Sequence, residues 1–209
     1  LPDGSIVLTG GYTGNYSSGV WRSTDQGATW TQMTAAASWT ARHSHTSVAL
    51  PDGSIVLMGG WDGSRRNDVW CSTDQGATWT QRTAAAGWTA RSGHTSVALP
   101  DGSIVLMGGS YISGSSVFRV RDVWRSTDQG ATWTRMTAAA PWAGRANHTS
   151  VALPDGSIVL MGGYDGSSRR NDVWRLETAG STEQHPTHTY TEPGTYSVAL
   201  QVYNADGFD

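Results

Sequence analysis

A repeat of about 50 residues dominates this chain. The segment HTSVALPDGSIVLMGG occurs unchanged at residues 45–60, 94–109 and 148–163, and residues 1–11 are the tail of a fourth copy. The four LPDG starts, at residues 1, 50, 99 and 153, give periods of 49, 49 and 54. Because one repeat cannot bury its own apolar faces, this period predicts similar units packed against each other.

Each unit predicts four short β-strands and no helix. In the second unit the strands are expected at 45–50, 54–58, 68–72 and 78–82, with a Pro-Asp-Gly turn between the first two. The run Ile55 to Met58 is apolar at consecutive positions, so both faces of that strand must be covered. Four strands in such a repeat indicate an all-β fold, a β-propeller of four-stranded antiparallel blades.

Composition excludes several classes of protein. Only 15% of residues are charged, the formal net charge is -3, and all fourteen cationic side chains are arginine. These values argue against a disordered chain, a coiled coil or a nucleic-acid-binding arm. No apolar run approaches the roughly 20 residues of a membrane-spanning helix, so we expect no membrane insertion. A single Cys71 excludes an internal disulfide.

The repeated motifs resemble two known propeller families. The order Arg-x-x-His, a strand ending in Gly-Gly, Asn/Asp-Val-Trp and then Thr-Trp resembles the kelch repeat, with Arg42, His45, Trp70 and Trp79 at those positions in unit 2. The octet STDQGATW, at 23–30, 72–79 and 126–133, is similar to the Asp-box of sialidase-type propellers. Together the two resemblances cover residues 1–176.

The last residues resemble a different module. Residues 188–209 look like the second half of a PKD-type immunoglobulin-like domain, and the alternation of Tyr196, Val198, Leu200 and Val202 predicts a strand. The three glutamates also lie beyond residue 176. We therefore divide the chain into propeller repeats at 1–176 and a linker with a partial PKD-like segment at 177–209. The resemblance implies a secreted or cell-surface protein.

The Asp-box residues are expected to be structural. Each aspartate lies in a glycine-containing link, where its carboxylate can accept backbone N–H bonds, and each tryptophan is expected to be buried. These residues are Asp25, Trp30, Asp74, Trp79, Asp128 and Trp133.

The repeated histidines and arginines leave two hypotheses open. His45, His94 and His148 could together bind a metal, and the arginines three residues before them could clamp a carboxylate. The kelch resemblance instead implies scaffold positions at the junctions between blades. Cys71 replaces an arginine of the other units and is interpreted as a tolerated substitution. No metal or cofactor is therefore predicted.

Enzyme mechanisms known from similar propellers lack their residues here. A sialidase-like mechanism needs a glutamate, and residues 1–176 contain none. A galactose-oxidase-like copper site needs an asymmetric set of ligands that near-identical units do not supply. Inverting hydrolysis by two aspartates stays open, although most aspartates occupy repeated turns. We assign no catalytic residue and expect a binding module rather than an enzyme.

The variation between units predicts where a ligand binds. The links after the second strand differ in sequence and length, whereas the links after the first and third strands barely change. Variable loops on a rigid scaffold are typical of binding surfaces, and Tyr, Trp and Arg dominate interface energetics. Drift in solvated loops is the alternative. The candidate ligand-binding residues are Tyr12, Trp61, Asp62, Arg65, Arg66, Tyr111, Arg119, Arg121, Tyr164, Asp165, Arg169 and Arg170.

The four units predict 14 strands, where four complete blades need 16. The chain is then a piece of a ring with more blades, a subunit of a homo-oligomer, or a propeller completed by its tail, and we favour the first two. The expected function is extracellular binding or adhesion, with carbohydrate or protein as the ligand. The alternatives are a fragment of a secreted carbohydrate-active enzyme and a self-assembling surface protein.

Overall fold

The computed structural model describes residues 1–177 and the backbone of two short strands near the C-terminus. The chain divides into two compact units, Leu1–Thr178 and Ala179–Asp209. All regular secondary structure in the described residues is β, and none of it offers a helix that could cross a bilayer. Within the C-terminal compact unit, Ala179–Asp209, the strand Tyr203–Asn204 pairs antiparallel with Gly207–Phe208. The strand predicted through Tyr196 and Val202 lies outside the described residues.

The four repeats form four antiparallel sheets, which we call blades 1 to 4. Blade 1 contains β1 (Ile6–Tyr12), β2 (Tyr16–Ser23) and β3 (Thr31–Thr34), and blade 2 contains β4 (Thr46–Ala49), β5 (Ile55–Trp61), β6 (Arg65–Ser72) and β7 (Thr80–Thr83). Blade 3 contains β8 (Thr95–Ala98), β9 (Ile104–Met107), β12 (Val123–Ser126) and β13 (Thr134–Thr137), with β10 (Ser110–Ser113) and β11 (Ser116–Arg119) as a separate hairpin. Blade 4 contains β14 (Thr149–Ala152), β15 (Ile158–Met161) and β16 (Val173–Leu176). The blades thus have three, four, four and three strands in sequence order, as the repeat predicts.

The second and third strands of blade 2 are longer than predicted. The ladder between β5 and β6 shifts register between Met58 and Gly60 and then continues to Trp61, which lies opposite Arg65. Gly59 and Gly60 adopt left-handed φ angles of 62° and 101°, and a Cβ atom on Gly60 would lie 2.7 Å from His45 Cβ. Only glycine allows this bulge, so most of the predicted loop is strand.

Three hydrophobic clusters join the four blades, one at each junction between consecutive blades. At the junction of blades 2 and 3, Val56 and Met58 of blade 2 pack against Ile104 and Leu106 of blade 3. Because alternate strand residues point to opposite faces, each blade has a face that bears valine, with methionine beside it in blades 2 to 4, and an opposite face that bears isoleucine and leucine. We call these the C-side face, toward the following blade, and the N-side face, toward the preceding blade.

The innermost strands converge on a common axis. β8 packs against both β4 and β14. One cavity of about 470 Å³ is lined by the Leu-Pro dipeptides of all four units, at residues 1–2, 50–51, 99–100 and 153–154. Antiparallel blades that face one another around an axis, with their first strands innermost, define a β-propeller.

Candidate ligand-binding rim

The antiparallel blades separate the links into two rims. We call the turns after the first and third strands of each blade the constant rim. The variable rim lies on the opposite side and consists of the segments that connect the second strand of each blade to the third. These segments are residues 12–16, 61–65, 110–121 and 164–171. The sequence candidates for ligand binding lie on or beside the variable rim, and the Asp-box candidates lie on the constant rim.

On the constant rim, each aspartate of the STDQGATW loop is held by its own loop. Asp74 accepts hydrogen bonds from Ser72 Oγ at 2.8 Å and from Thr78 N at 2.9 Å, and its second oxygen accepts from Thr78 Oγ1 at 2.6 Å. Asp25 and Asp128 have the same partners in their loops. Hydrogen bonds from Thr29 lower the pKa of Asp25 to about 2. These carboxylates fix a turn and are already occupied as acceptors.

The tryptophans of these loops join neighbouring blades. Trp79 and Trp133 meet, edge to face, the tryptophan that follows the alanine triplet of the preceding unit, with ring centroids 5.9 Å apart in both pairs, Trp39–Trp79 and Trp88–Trp133. Trp79 is only 6% exposed, but Trp30 is 39% exposed. The expectation that all three are buried holds for Trp79 only. Trp133 is half-buried, and Trp30 has no preceding blade in the described chain to pack against.

The single cysteine lies on the constant-rim side of blade 2. In the other three blades, an arginine at this position pairs with the aspartate of the Pro-Asp-Gly turn, as Arg125 does with Asp101. In blade 2 that aspartate, Asp52, instead accepts a hydrogen bond of 2.9 Å from Gln129 of blade 3. Burial raises the pKa of the Cys71 thiol, which disfavours the nucleophilic thiolate.

Buried arginines anchor blades 2, 3 and 4. Arg42 binds Asp68 through two hydrogen bonds of 2.6 and 2.9 Å and donates to the carbonyl oxygen of Gly59 at 3.0 Å. Arg91 with Asp122 and Arg145 with Asp172 repeat the arrangement. The aspartate also accepts from the tryptophan two residues later. The carboxylate that these arginines clamp is thus one of their own blade, not that of a ligand.

The repeated histidines also connect blades. Nε2 of His94 lies 3.0 Å from Thr46 Oγ1 of the preceding blade, and Nε2 of His148 lies 2.8 Å from Thr95 Oγ1. His45 reaches Thr9 at 3.1 Å. Burial and a nearby arginine lower the pKa of His94 to about 3 and those of His45 and His148 to about 4. Among the described residues, no three His, Cys, Asp or Glu side chains are grouped to hold a metal.

On the variable rim, aromatic side chains of blades 1 and 2 form one group. The ring centroids of Tyr12 and Tyr16 lie 5.4 Å apart, and both rings pack against the ring of His43. Trp61 donates a hydrogen bond of 3.1 Å from its Nε1 to the Tyr16 hydroxyl. Tyr12 is 59% exposed and Tyr16 is 39% exposed. The fold therefore gathers an open aromatic surface across the first junction, to which Tyr16 and His43 add residues that were not among the candidates.

Two arginines continue this surface across blades 2 to 4. The Arg65 guanidinium lies 5.3 Å from the Trp61 ring and donates to Ser110 O at 2.8 Å. Ser110 pairs with Arg119 across the β10–β11 hairpin, and the Arg119 guanidinium lies 5.1 Å from the Tyr164 ring. Burial and the charge of Arg119 lower the pKa of Arg65. Neither arginine forms an ion pair within residues 1–177.

The two rim aspartates are engaged by neighbouring groups. Partial burial raises the pKa of Asp62, but hydrogen bonds from Thr40 and Arg66 lower it by more, so the pKa lies below its usual value. Asp165 accepts hydrogen bonds from the amides of Ser167 and Ser168 and pairs with Arg170, and these bonds hold its pKa well below the usual range. Arg66 and Arg170 are thus charge partners of the rim aspartates.

The remaining candidates are more scattered. Tyr111 stacks on Phe118 within the hairpin at 5.2 Å, and Arg121 is exposed. Arg169 and Tyr164 line a cleft of about 630 Å³ on blade 4. The structure thus connects Tyr12, Trp61, Arg65, Arg119 and Tyr164, through Tyr16 and Ser110, in one strip from blade 1 to blade 4.

The comparison with known families supports the architecture. A family model described as a beta-propeller domain of unknown function (DUF5122) matches residues 153–183, which span most of blade 4. No curated protein matches the chain. The chain is therefore an all-β propeller with similarity to a propeller family over a short stretch.

Proposed function

We propose that the protein is a non-catalytic binding module that recognises carbohydrate through the variable rim. The observation that carries this proposal is the strip in which Trp61 and Tyr164 each stack with an arginine and Trp61 also contacts Tyr16, next to the exposed Tyr12. Aromatic faces suit the apolar faces of sugar rings, and guanidinium groups donate several hydrogen bonds to hydroxyl or carboxylate oxygens. A protein ligand is the alternative occupant of the same strip.

The constant rim supports the non-catalytic part of the proposal. Asp25, Asp74 and Asp128 each accept hydrogen bonds from the serine and threonine of their own loop. A general acid or base needs a carboxyl group that can reach a substrate. Repetition of the same arrangement three times also offers no pair of carboxyl groups with different roles.

The finer classification belongs to the same proposal. We infer kelch-like and Asp-box repeats, because Arg42, His45 and the Gly59–Gly60 pair meet at a junction between strands and because the STDQGATW loops share one hydrogen-bond pattern. A secreted or cell-surface location and a PKD-type tail rest on the resemblance of residues 188–209 alone.

The test is binding of the protein to a printed array of neutral and acidic oligosaccharides, followed by calorimetry with the strongest ligand. We expect Trp61→Ala and Arg65→Ala each to weaken binding by about tenfold or more, a loss of at least about 1.4 kcal/mol. Arg125→Ala, which removes an arginine of the constant rim, is the matched control and should bind normally. Normal binding by both rim variants would place the site elsewhere, and binding to proteins but to no glycan would replace the ligand class.

A further inference from the structure

Within residues 1–177, no blade packs against the N-side face of blade 1. Ile6 and Leu8 are 44% and 49% exposed, whereas Ile55 and Leu57, at the same positions of blade 2, are 3% and 0% exposed. On the outer part of the same face, Trp21 and Trp30 are 38% and 39% exposed. In blades 2, 3 and 4 this face packs against the preceding blade. Blade 1 therefore presents most of one half of a blade junction.

Blade 4 leaves the complementary face uncovered. Val151 and Val173 of its C-side face are 43% and 65% exposed. At the same positions of blade 2, Val48 is 8% exposed and Val69 is 0% exposed, because both pack against blade 3. Blade 4 thus presents most of the other half of the junction, with its strand valines in place and nothing from the described chain against them.

Most of the strands that form a junction are present on these two faces. The C-side face of blade 2 uses Val48 of β4, Val56 and Met58 of β5, and Val69 of β6, and blade 4 has the three equivalent strands. The N-side face of blade 3 uses mainly Ile104 and Leu106 of β9, Trp124 of the third strand and Trp133 of the loop before the fourth strand, and blade 1 has the equivalents of these residues. Within residues 1–177, two contributions have no equivalent on these faces: Ala86 and the buried Trp88, which follow the fourth strand of blade 2 and are absent from blade 4, and Ala98 of the first strand of blade 3, which is absent from blade 1.

A specific contact inside each junction is also vacant. A Cβ atom on Gly76 of blade 2 would lie 2.7 Å from Val20 Cγ1 of blade 1, and one on Gly130 of blade 3 would lie 2.6 Å from Val69 Cγ1 of blade 2. The loop glycine thus forms a notch that receives a valine of the preceding blade. The equivalent Gly27 of blade 1 meets only Trp30 of its own loop, at 3.9 Å, and the equivalent valine of blade 4 is Val173.

We propose that two copies of this chain associate head to tail, with the C-side face of blade 4 of one copy packed against the N-side face of blade 1 of the other. The occupant is a second copy because the chain carries most of both halves of a junction that it already forms between its own blades. Val173 then enters the notch at Gly27, and Val151 packs near Ile6 and Leu8. Such a contact is heterologous, so it either closes into a ring or continues into a longer assembly.

The test is sedimentation velocity of the wild-type chain from about 1 to 100 µM, a range that detects weak and moderate dimers. We expect the wild type to form dimers or larger assemblies. Val173→Glu and Leu8→Glu should each weaken association by at least tenfold, because an unpaired charge on an apolar face must be desolvated. Ile112→Glu, a change at a residue of the β10–β11 hairpin that is 46% exposed, is the control and should associate normally.

Mixing the two variants distinguishes this head-to-tail contact from an isologous contact, in which both copies use the same face. Val173→Glu protein retains an intact blade 1 face, and Leu8→Glu protein retains an intact blade 4 face. An equimolar mixture should therefore form a 1:1 heterodimer that does not extend further, and its formation also shows that both variants are folded. A wild type that stays monomeric over the whole range, association unaffected by Val173→Glu, or a mixture without heterodimers would overturn the proposal.

Discussion

The constant and variable rims are built from the same strands but obtain their structure in different ways. On the constant rim, Asp74 is held by Ser72 and Thr78 of its own loop. On the variable rim, Trp61 bonds to Tyr16 of the preceding blade, and Arg65 bonds to Ser110 of the following unit. Contacts within a short loop can be copied unchanged in every unit, whereas contacts between neighbouring links depend on what each neighbour presents. This difference explains why one rim repeats and the other diversifies.

The lengths of the links differ between units on the variable rim but not on the constant rim. The variable segment of unit 3 is longer than its equivalents, and it folds as the separate β10–β11 hairpin, with Ser110 opposite Arg119 and Ser113 opposite Ser116. Extra residues at this rim therefore form their own hydrogen-bonded structure and leave the blade beneath unchanged.

The largest effect is expected from the scaffold beneath the variable rim. Replacement of Arg91, which is 0% exposed, removes two hydrogen bonds to the Asp122 carboxylate and one to the carbonyl of Gly108, and leaves Asp122 with Trp124 as its side-chain donor. We expect Arg91→Ala to lower the free energy of unfolding by about 3–5 kcal/mol in urea denaturation, the usual cost of breaking a buried pair. Arg121→Ala, at an exposed arginine of the variable rim, should cost less than about 0.5 kcal/mol. Equal costs would contradict the division between the two regions.

Acidification should destabilise the junctions between blades. Folding lowers the pKa of His94 from 6.5 to about 3, so below pH 6.5 the unfolded chain binds a proton that the folded chain does not. Stability present above that pH is therefore lost as the pH falls toward 3, by up to about 1.4 kcal/mol per pH unit for this residue. Urea unfolding between pH 7 and 5 should show a shallower decline for His94→Gln than for the wild type. Identical slopes would mean that folding does not lower the pKa of His94.

The smallest effect is expected from a longer variable link. Insertion of two glycines between Gly114 and Ser115, at the tip of the hairpin, should lower the free energy of unfolding by about 0.6 kcal/mol or less, because loop closure depends weakly on length. The same insertion between Asp101 and Gly102 separates the aspartate from Ser103, which donates to it from both N and Oγ, and should cost about 1–3 kcal/mol. Urea denaturation measures both, and a costlier hairpin insertion would reverse the assignment of the rims.

The sequence predicted the blades better than it predicted the contacts between their side chains. Identical repeats and consecutive apolar residues indicate four-stranded sheets covered on both faces, and this part of the prediction is confirmed. The pairs that Arg42 and Arg91 form with Asp68 and Asp122 were missed, because the partners are 26 and 31 residues apart. A signal was present: aspartate precedes Val-Trp in units 2 to 4, and in unit 1, which contributes no such arginine, the position is Gly19.

The candidate site was predicted only as a set of variable links. Their aromatic and arginine content followed from the sequence, but Tyr16 and His43 joined the group only in the folded chain, because they come from two different blades. The contact made by Thr9 also became visible only in the folded chain. Thr9 replaces the methionine of the other units, and its hydroxyl lies within hydrogen-bond distance of His45 Nε2 across the junction of blades 1 and 2.

Local sequence alone determined the strands, their order and the alternation that gives each blade two apolar faces. Only the tertiary structure decided which of these faces are covered. Ile6 and Ile55 occupy the same position in two identical copies of the segment LPDGSIVL, yet Ile6 is 44% exposed and Ile55 is 3% exposed. The physical reason is that a strand's own residues set the direction of each side chain, whereas burial depends on whether another blade lies against that face.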